Sequence, residues 1–221
     1  MSENKQQELV TQPIDNVVAA IESSPPVPVG SMYHDSEAFS HIQRVAKVFN
    51  QAHMSPEVFQ KNLASCIVAI ELANTLRIHP FILMQGLYVV HGKPALDGKL
   101  VIALIKTRAG FTKFWFTYDG TEGSDNRRCT AHGIRNDGSA CEKSFTIKEA
   151  KDWGWYGKSG SAWPKMPDQM LAYRAAAFFA RIHCPEVTLG MQTIEEINDT
   201  IEVEAVKSVE EKIEMKRQSR E

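Results

Sequence analysis

Between Trp155 and Arg181 the chain reads WYGKSGSAWPKMPDQMLAYRAAAFFAR. Aromatic faces, ammonium groups on flexible stems and a row of guanidinium groups meet in this one run. Any nucleobase has a π-face, so stacking on tryptophan or tyrosine is tolerant of sequence and worth ~1–3 kcal/mol per base. Lys158 and Lys165 can follow a phosphate backbone, whose binding is governed by counterion release. In a helix beginning after Pro167, Met170, Arg174, Ala177 and Arg181 share a face. Roughly 10 Å of axial rise separates the two arginines. Leu171, Phe178 and Ile182 form a second stripe, expected to be buried, and the alanines at 172, 175, 176, 177 and 180 admit another element closely. The chemistry this run suits is polyanion binding. Buried carboxylates are the alternative partners for either arginine. On the polyanion reading, Arg174→Ala and Arg181→Ala weaken binding without unfolding the chain; on the alternative, they unfold it. Trp153, Trp155, Tyr156 and Trp163 divide between stacking platforms and core, with Trp163 favoured for stacking.

The charge distribution points the same way. Residues 93–185 carry 15 Lys+Arg against 9 Asp+Glu, a net of +6, while residues 1–92 and 186–221 have nets of −3 and −5 within a total of −2. A basic block beside acidic ends is the electrostatic outline of a polyanion binder. Metal-dependent hydrolysis calls for clustered carboxylates. Asp119, Glu122, Asp125 and Asp137 fall in turns without ligand spacing, and Asp97, near His91, reads as a helix cap. Neither an enzyme nor a cofactor or metal is therefore expected. A metal-dependent nuclease and a non-catalytic protein-binding scaffold are the competing readings. Cys66 and Cys184 lie in apolar helical runs; Cys129 and Cys141 flank a turn where a disulfide is geometrically conceivable, although reduced thiols are expected. No apolar run approaches the ~20 residues that span a bilayer, so no membrane partner and a cytoplasmic location are expected.

The elements that must position these residues follow from pattern. Residues 1–34, with SSPPVPVGS, read as a flexible arm. Residues 35–192 form one core, and 193–221 a charged helix or tail. A helix runs from about Asp35 to Asn50, and a second from Ser55-Pro56-Glu57 to Leu76, ended by His79-Pro80. A hairpin turns at His91-Gly92-Lys93. Asp97-Gly98 opens an apolar helix closed by Gly110. FTKFWFTY is a strand; two more, about Arg128–Ile134 and Ala140–Thr146, join through RNDGS, where Asp-Gly suits a positive φ. Phe111, Lys113, Trp115 and Thr117 are expected on one face of this meander, and Phe114, Phe116 and Tyr118 on the other. Lys113, Arg128 and Lys143 are candidates for the open face. IKEAKDWGW is a short helix, and Thr193 with Glu196 forms a capping box. Helices, then a strand meander, then helices imply an α+β fold with a central antiparallel meander packed on helices.

Three segments carry a resemblance. IELANTLRIHPFILMQGLYVV, ALDGKLVIALIKTRAGF and SAWPKMPDQMLAYRAAAFFARIHCPEVTLGMQTIEE together resemble, in order and spacing, the phage RecT/Redβ family of single-strand annealing proteins, over roughly Ser40 to Asn198. The resemblance implies an annealing-protein core that binds single-stranded DNA and pairs it with its complement without ATP. It implies homo-oligomeric rings or helical filaments in the bacterial host cytoplasm, and a basic groove for the DNA backbone and the annealed duplex intermediate. Trp163 stands at the family's motif tryptophan, Arg174 at its basic helix position and Arg181 at its Ala-Arg pair. Lys158, Lys165, Lys148 and Lys151 are further groove candidates, and Arg128 belongs to the meander surface. Asp168 and Gln169 depart from the basic pair some members carry, although Asp168 suits a helix cap. Members with a separate C-terminal module use it to engage a partner exonuclease or host single-strand-binding protein; here a charged helix from Thr193 follows the motif instead, a departure that weighs against such a partnership. Its acidic residues are expected either to attract the basic middle of a neighbouring subunit or to compete with DNA for the groove.

Overall fold

The structure, a computed structural model, describes residues 35–90 and 92–200. The expected N-terminal arm, His91 at the hairpin tip and residues 201–221 lie outside these. The element order is α1 (Ser36–Gln51), α2 (Glu57–Gln60), α3 (Leu63–Leu76), α4 (Pro80–Gly86), β1 (Leu87–Val90), β2 (Lys93–Leu96), α5 (Gly98–Arg108), β3 (Phe111–Asp119), β4 (Arg128–Arg135), β5 (Ala140–Thr146), α6 (Ile147–Asp152) and α7 (Pro167–His183). A 3₁₀ turn, Pro185–Val187, follows, and residues 194–200 are helical. The fold is α+β, with antiparallel sheets β1-β2 and β3-β4-β5.

Asp35 caps α1 by accepting from the Glu37 and Ala38 N–H groups at 2.8 and 3.2 Å. The single helix expected from Ser55 to Leu76 is broken at Lys61-Asn62. The Asn62 side chain accepts from the Ser65 N–H at 3.1 Å and starts α3 afresh, the usual role of an asparagine just ahead of an apolar run. Ser55 caps nothing: its hydroxyl is buried without a hydrogen-bond partner among the described residues. α3 closes at Arg77, left-handed with φ 56°. His79 then caps α4, accepting from the Phe81 N–H at 3.2 Å. His79-Pro80 therefore starts a helix where the sequence pattern suggested only a stop.

The middle of α5, Leu100 through Ile105, is apolar on every side and wholly buried. A helix of that composition belongs inside the fold, and α5 packs against α7, β3 and α4. α7 lies across β4 and β5. Phe179 fills the interface, with ring centroids 5.3 Å from Phe111 and 5.2 Å from Phe114. Phe114, Phe116 and Tyr118 take the inner register, as expected. Phe111 does not take the outer one. An irregularity between Phe111 and Lys113 inserts Thr112, and a one-residue insertion turns the preceding side chain to the other face. Lys143 also departs from expectation. It stands opposite Ala131, which is opposite Phe116, and so shares the inner register. Lys113, Trp115, Thr117, Arg128 and His132 share the outer face, where the Trp115 and His132 rings stack at 5.1 Å. The second stripe expected on α7 is also shifted: Leu171 is buried, Phe178 is partly so and Ile182 is 60% exposed. Cys141 stands opposite Gly133 rather than near Cys129, and all four cysteines are free. Among the described residues no single helix is long and apolar enough to cross a membrane.

Candidate nucleic-acid interface

The residues singled out from sequence separate into a buried cluster and an exposed rim. Trp163 and Arg174 are in the cluster. Trp163 is fully buried, with its indole N–H donating to Asp199 Oδ2 at 3.1 Å. Arg174 is 2% exposed. Its guanidinium donates to Asp199 Oδ2 and lies 3.5 Å from Glu196 Oε1, with Cζ 4.2 Å from the Trp155 ring centroid. Neither residue is open to a polynucleotide in this arrangement, which corrects the expectation that both line a groove. Arg181 is different. It donates to Glu196 Oε1 at 2.7 Å while half its side chain stays in water. A small cleft lined by Val101, Ala177, Arg181, Thr193 and Glu196 adjoins that pair.

The carboxylates in the cluster come from a segment that sequence reasoning treated as a tail. Thr193 and Glu196 do form the capping box: the Thr193 N–H donates to Glu196 Oε2 at 2.9 Å and the Glu196 N–H to Thr193 Oγ1 at 3.2 Å. This turn tucks against the core. The Leu96 N–H donates to the Gln192 carbonyl at 3.1 Å, and the Gly98 N–H to Glu195 Oε1 at 3.2 Å. The available signal was spacing: Glu196 and Asp199, three apart on a helix, present two acids to one side.

Burial dominates the electrostatics. Desolvation lowers the Arg174 guanidinium below its ordinary value, outweighing Glu196 and Asp199. It raises the Asp199 carboxyl, outweighing the Trp163 and Arg174 contacts, and raises Glu195 as well. Both partners of the Arg174–Asp199 pair are thus pushed toward their neutral forms, as expected where water is excluded. Glu195 also has an oxygen, Oε2, buried without a partner among the described residues. Its folded value exceeds its unfolded one, so the stability it contributes is complete below the unfolded value and is lost as pH rises through the folded value. Glu195→Gln removes that loss. Its melting temperature relative to the parent chain is therefore expected to climb as pH is raised from about 4 to 8. A pH-independent difference in thermal denaturation contradicts this.

The exposed rim is built by three segments distant in sequence. The turn before β4 is joined to α6 by the Ile147 N–H donating to the Arg127 carbonyl and the Lys148 N–H to the Asp125 carbonyl, each at 3.0 Å. α6 is itself opened by a capping box between Thr146 and Glu149. Arg128, Lys148 and Lys151 project from this junction, paired with Asp119 at 3.2 Å, Asp152 at 2.6 Å and Asp125 at 2.5 Å. The loop after α6 adds the rings. Trp153 is 58% exposed, and its centroid lies 4.9 Å from buried Trp155. Lys151 Nζ sits 5.0 Å from the Tyr156 centroid. Lys158, half-buried, donates to the Asn198 carbonyl. Lys165 is exposed on the same loop. Trp163, favoured for stacking on the sequence, thus belongs to the core, and Trp153 is the exposed tryptophan of this loop.

Asp168 departs from its expected role. It does not cap α7; it accepts both Arg127 Nε at 2.9 Å and Nη2 at 2.5 Å. Arg127 is buried, and its charge is reinforced chiefly by that bond to Asp168. The pair ties the α7 start to the turn carrying Arg128. Among the described residues, no group of three or more His, Cys, Asp or Glu side chains is arranged to hold a metal ion.

Comparison of the chain with protein-family models, with curated proteins and with solved structures finds no match.

Proposed function

We propose that this protein binds single-stranded DNA and anneals complementary strands without nucleotide hydrolysis, acting as a homo-oligomer. The observation that carries the reading is the junction of β4 and α6, where Arg128, Lys148 and Lys151 stand exposed, with exposed Trp153 and half-buried Lys158 on the loop that follows. Rim cations suit exchange onto phosphate. The pairs made by Arg128, Lys148 and Lys151 are solvent-exposed, and such pairs contribute only ~0–1 kcal/mol each, so a phosphate displaces Asp119, Asp152 or Asp125 at little cost. Trp153 offers a ring face beside them for a base. The positive charge of residues 93–185 and the order of the three family-like segments support the same reading. Annealing needs two strands held with like charges neutralised and base edges free, and a row of subunits supplies the length that one domain lacks.

A labelled oligonucleotide titration tests this, followed by an annealing assay with two complementary oligonucleotides and no nucleotide cofactor. Trp153→Ala is expected to weaken binding by the ~1–3 kcal/mol of one stacked base, with secondary structure unchanged. Lys148→Ala and Lys151→Ala are each expected to flatten the salt dependence by about 0.7 in log–log slope. Binding unaffected by all three changes, or insensitive to salt, removes the rim from consideration.

A further inference from the structure

The segment 193–199 is packed the wrong way round for a permanent part of the core. Its inward residues are Thr193, Glu196 and Asp199, each 5% exposed or less. Its two isoleucines, Ile194 and Ile197, are only partly buried and lie outside the apolar core. A helix docked for stability buries its apolar residues and leaves its carboxylates in water. This one turns its acids inward, onto cations. Glu196 Oε1 lies against both Arg174 and Arg181, Asp199 Oδ2 takes Arg174 and the Trp163 N–H, and the Asn198 carbonyl accepts Lys158.

We propose that residues 193–199 are an internal phosphate mimic, seated on the cationic row of α7 where a polynucleotide backbone can replace them. This rests on the DNA-binding reading above and adds its regulation: the strand and the acidic segment exclude one another.

The energetics favour exchange over simple opening. Lifting the segment into water strips Arg174, still packed on Trp155 and Phe178, of both its carboxylate partners, and a largely desolvated charge without a partner is the expensive kind. Replacing its carboxylates by phosphate oxygens keeps the guanidinium paired, and arginine takes a phosphate in the same two-pronged geometry as a carboxylate. The exchange has an accessible start. Arg181 is half in water beside the small cleft, so an incoming phosphate meets Arg181 first and competes for Glu196. Arg174 and Trp163 are uncovered only afterwards. The exposed rim then serves as the landing surface, and Lys158 connects the two because it already reaches the segment through Asn198.

Hydrogen exchange on the full chain tests this, alone and saturated with an oligothymidine. The Glu196 and Ile197 amides, bonded to the Thr193 hydroxyl and carbonyl, are expected to lose protection when DNA is bound. In parallel, Glu196→Gln with Asp199→Asn keeps shape and removes the mimicry. This variant is expected to bind the oligonucleotide about tenfold tighter, a shift of ~1.4 kcal/mol. DNA binding by the double variant alone also supports the cover. Undiminished protection in the DNA-saturated chain overturns the exchange while leaving DNA binding at the rim intact. Absence of binding by both proteins removes the DNA reading and this inference together. If the double variant does not fold, the exchange data on the parent chain decide.

Discussion

Arg174→Ala is expected to destabilise the fold by about 3–5 kcal/mol, the cost of leaving buried Asp199 without its arginine and Glu196 with Arg181 alone. At 2–4 °C per kcal/mol for a chain of this size, the melting temperature falls by roughly 10 °C. The reason is placement. Asp199 and Glu196, both nearly fully buried, face Arg174, and the guanidinium plane also covers the Trp155 ring. Arg174→Lys is expected to recover only part of the loss, because an ammonium cannot serve both acids and the ring in one plane. Arg174→Met combined with Glu196→Gln and Asp199→Asn is expected to recover more than half. Exchanging a whole buried ionic cluster for neutral side chains of similar size is frequently neutral or stabilising. Arg181→Ala, with its side chain half in water, is expected to cost no more than about 1 kcal/mol. Thermal denaturation of the four proteins checks the series. A melting temperature unchanged by Arg174→Ala contradicts the buried cluster.

The second large effect is at the junction of α7 and the sheet. Phe179→Ala is expected to cost about 3–5 kcal/mol, the range for deleting a buried aromatic ring. Phe179 is fully buried and packs against Phe111, Phe114 and His183. Gly133, on β4, is the complement of that ring. A Cβ there would stand 2.8 Å from both Phe179 Cζ and Phe111 Cδ1. Gly133→Ala alone is therefore expected to destabilise by about 1–3 kcal/mol through overpacking. In the Phe179→Ala background the same methyl enters vacated space, so its cost is expected to fall by at least ~1 kcal/mol. Neighbours that share a cavity are non-additive in this way. Chemical denaturation of the two single variants and the double variant measures the coupling, and strict additivity contradicts the described contact.

A polyanion site has a local part and a part that is not local. The spacing of Arg174 and Arg181 describes a helix face, and a helix face is set by local geometry. Whether that face meets water, phosphate or acid is not a local property. Here the partners come from residues 195–199, beyond the α7 end and the turns that follow it. The same limit explains the tryptophans. Trp153, Trp155 and Trp163 occur in one Gly- and Ser-rich run, and nothing within that run separates them. The Phe145 ring decides, because it stacks on Trp155 and abuts Trp163 and so draws both inward.

What the amino-acid sequence determined by itself was the set of elements with strong short-range signals. These are α1, the β1-β2 hairpin, α5 with its Asp97 cap, the β3-β4-β5 meander with its Asp-Gly turn, α6 and α7. Each is specified by hydrophobic period, a capping side chain or a residue suited to positive φ, all acting within a few positions. It also determined the segregation of charge, which is a sum over residues and needs no coordinates. Only the tertiary structure decided which charges are neutralised and which face a ligand. It paired Arg127 with Asp168 across 41 positions and Arg174 with Asp199 across 25. It turned Phe111 inward through one inserted residue and left Trp153 at the rim. Coulombic partnership and desolvation depend on distances through space, and those exist only once the core has closed.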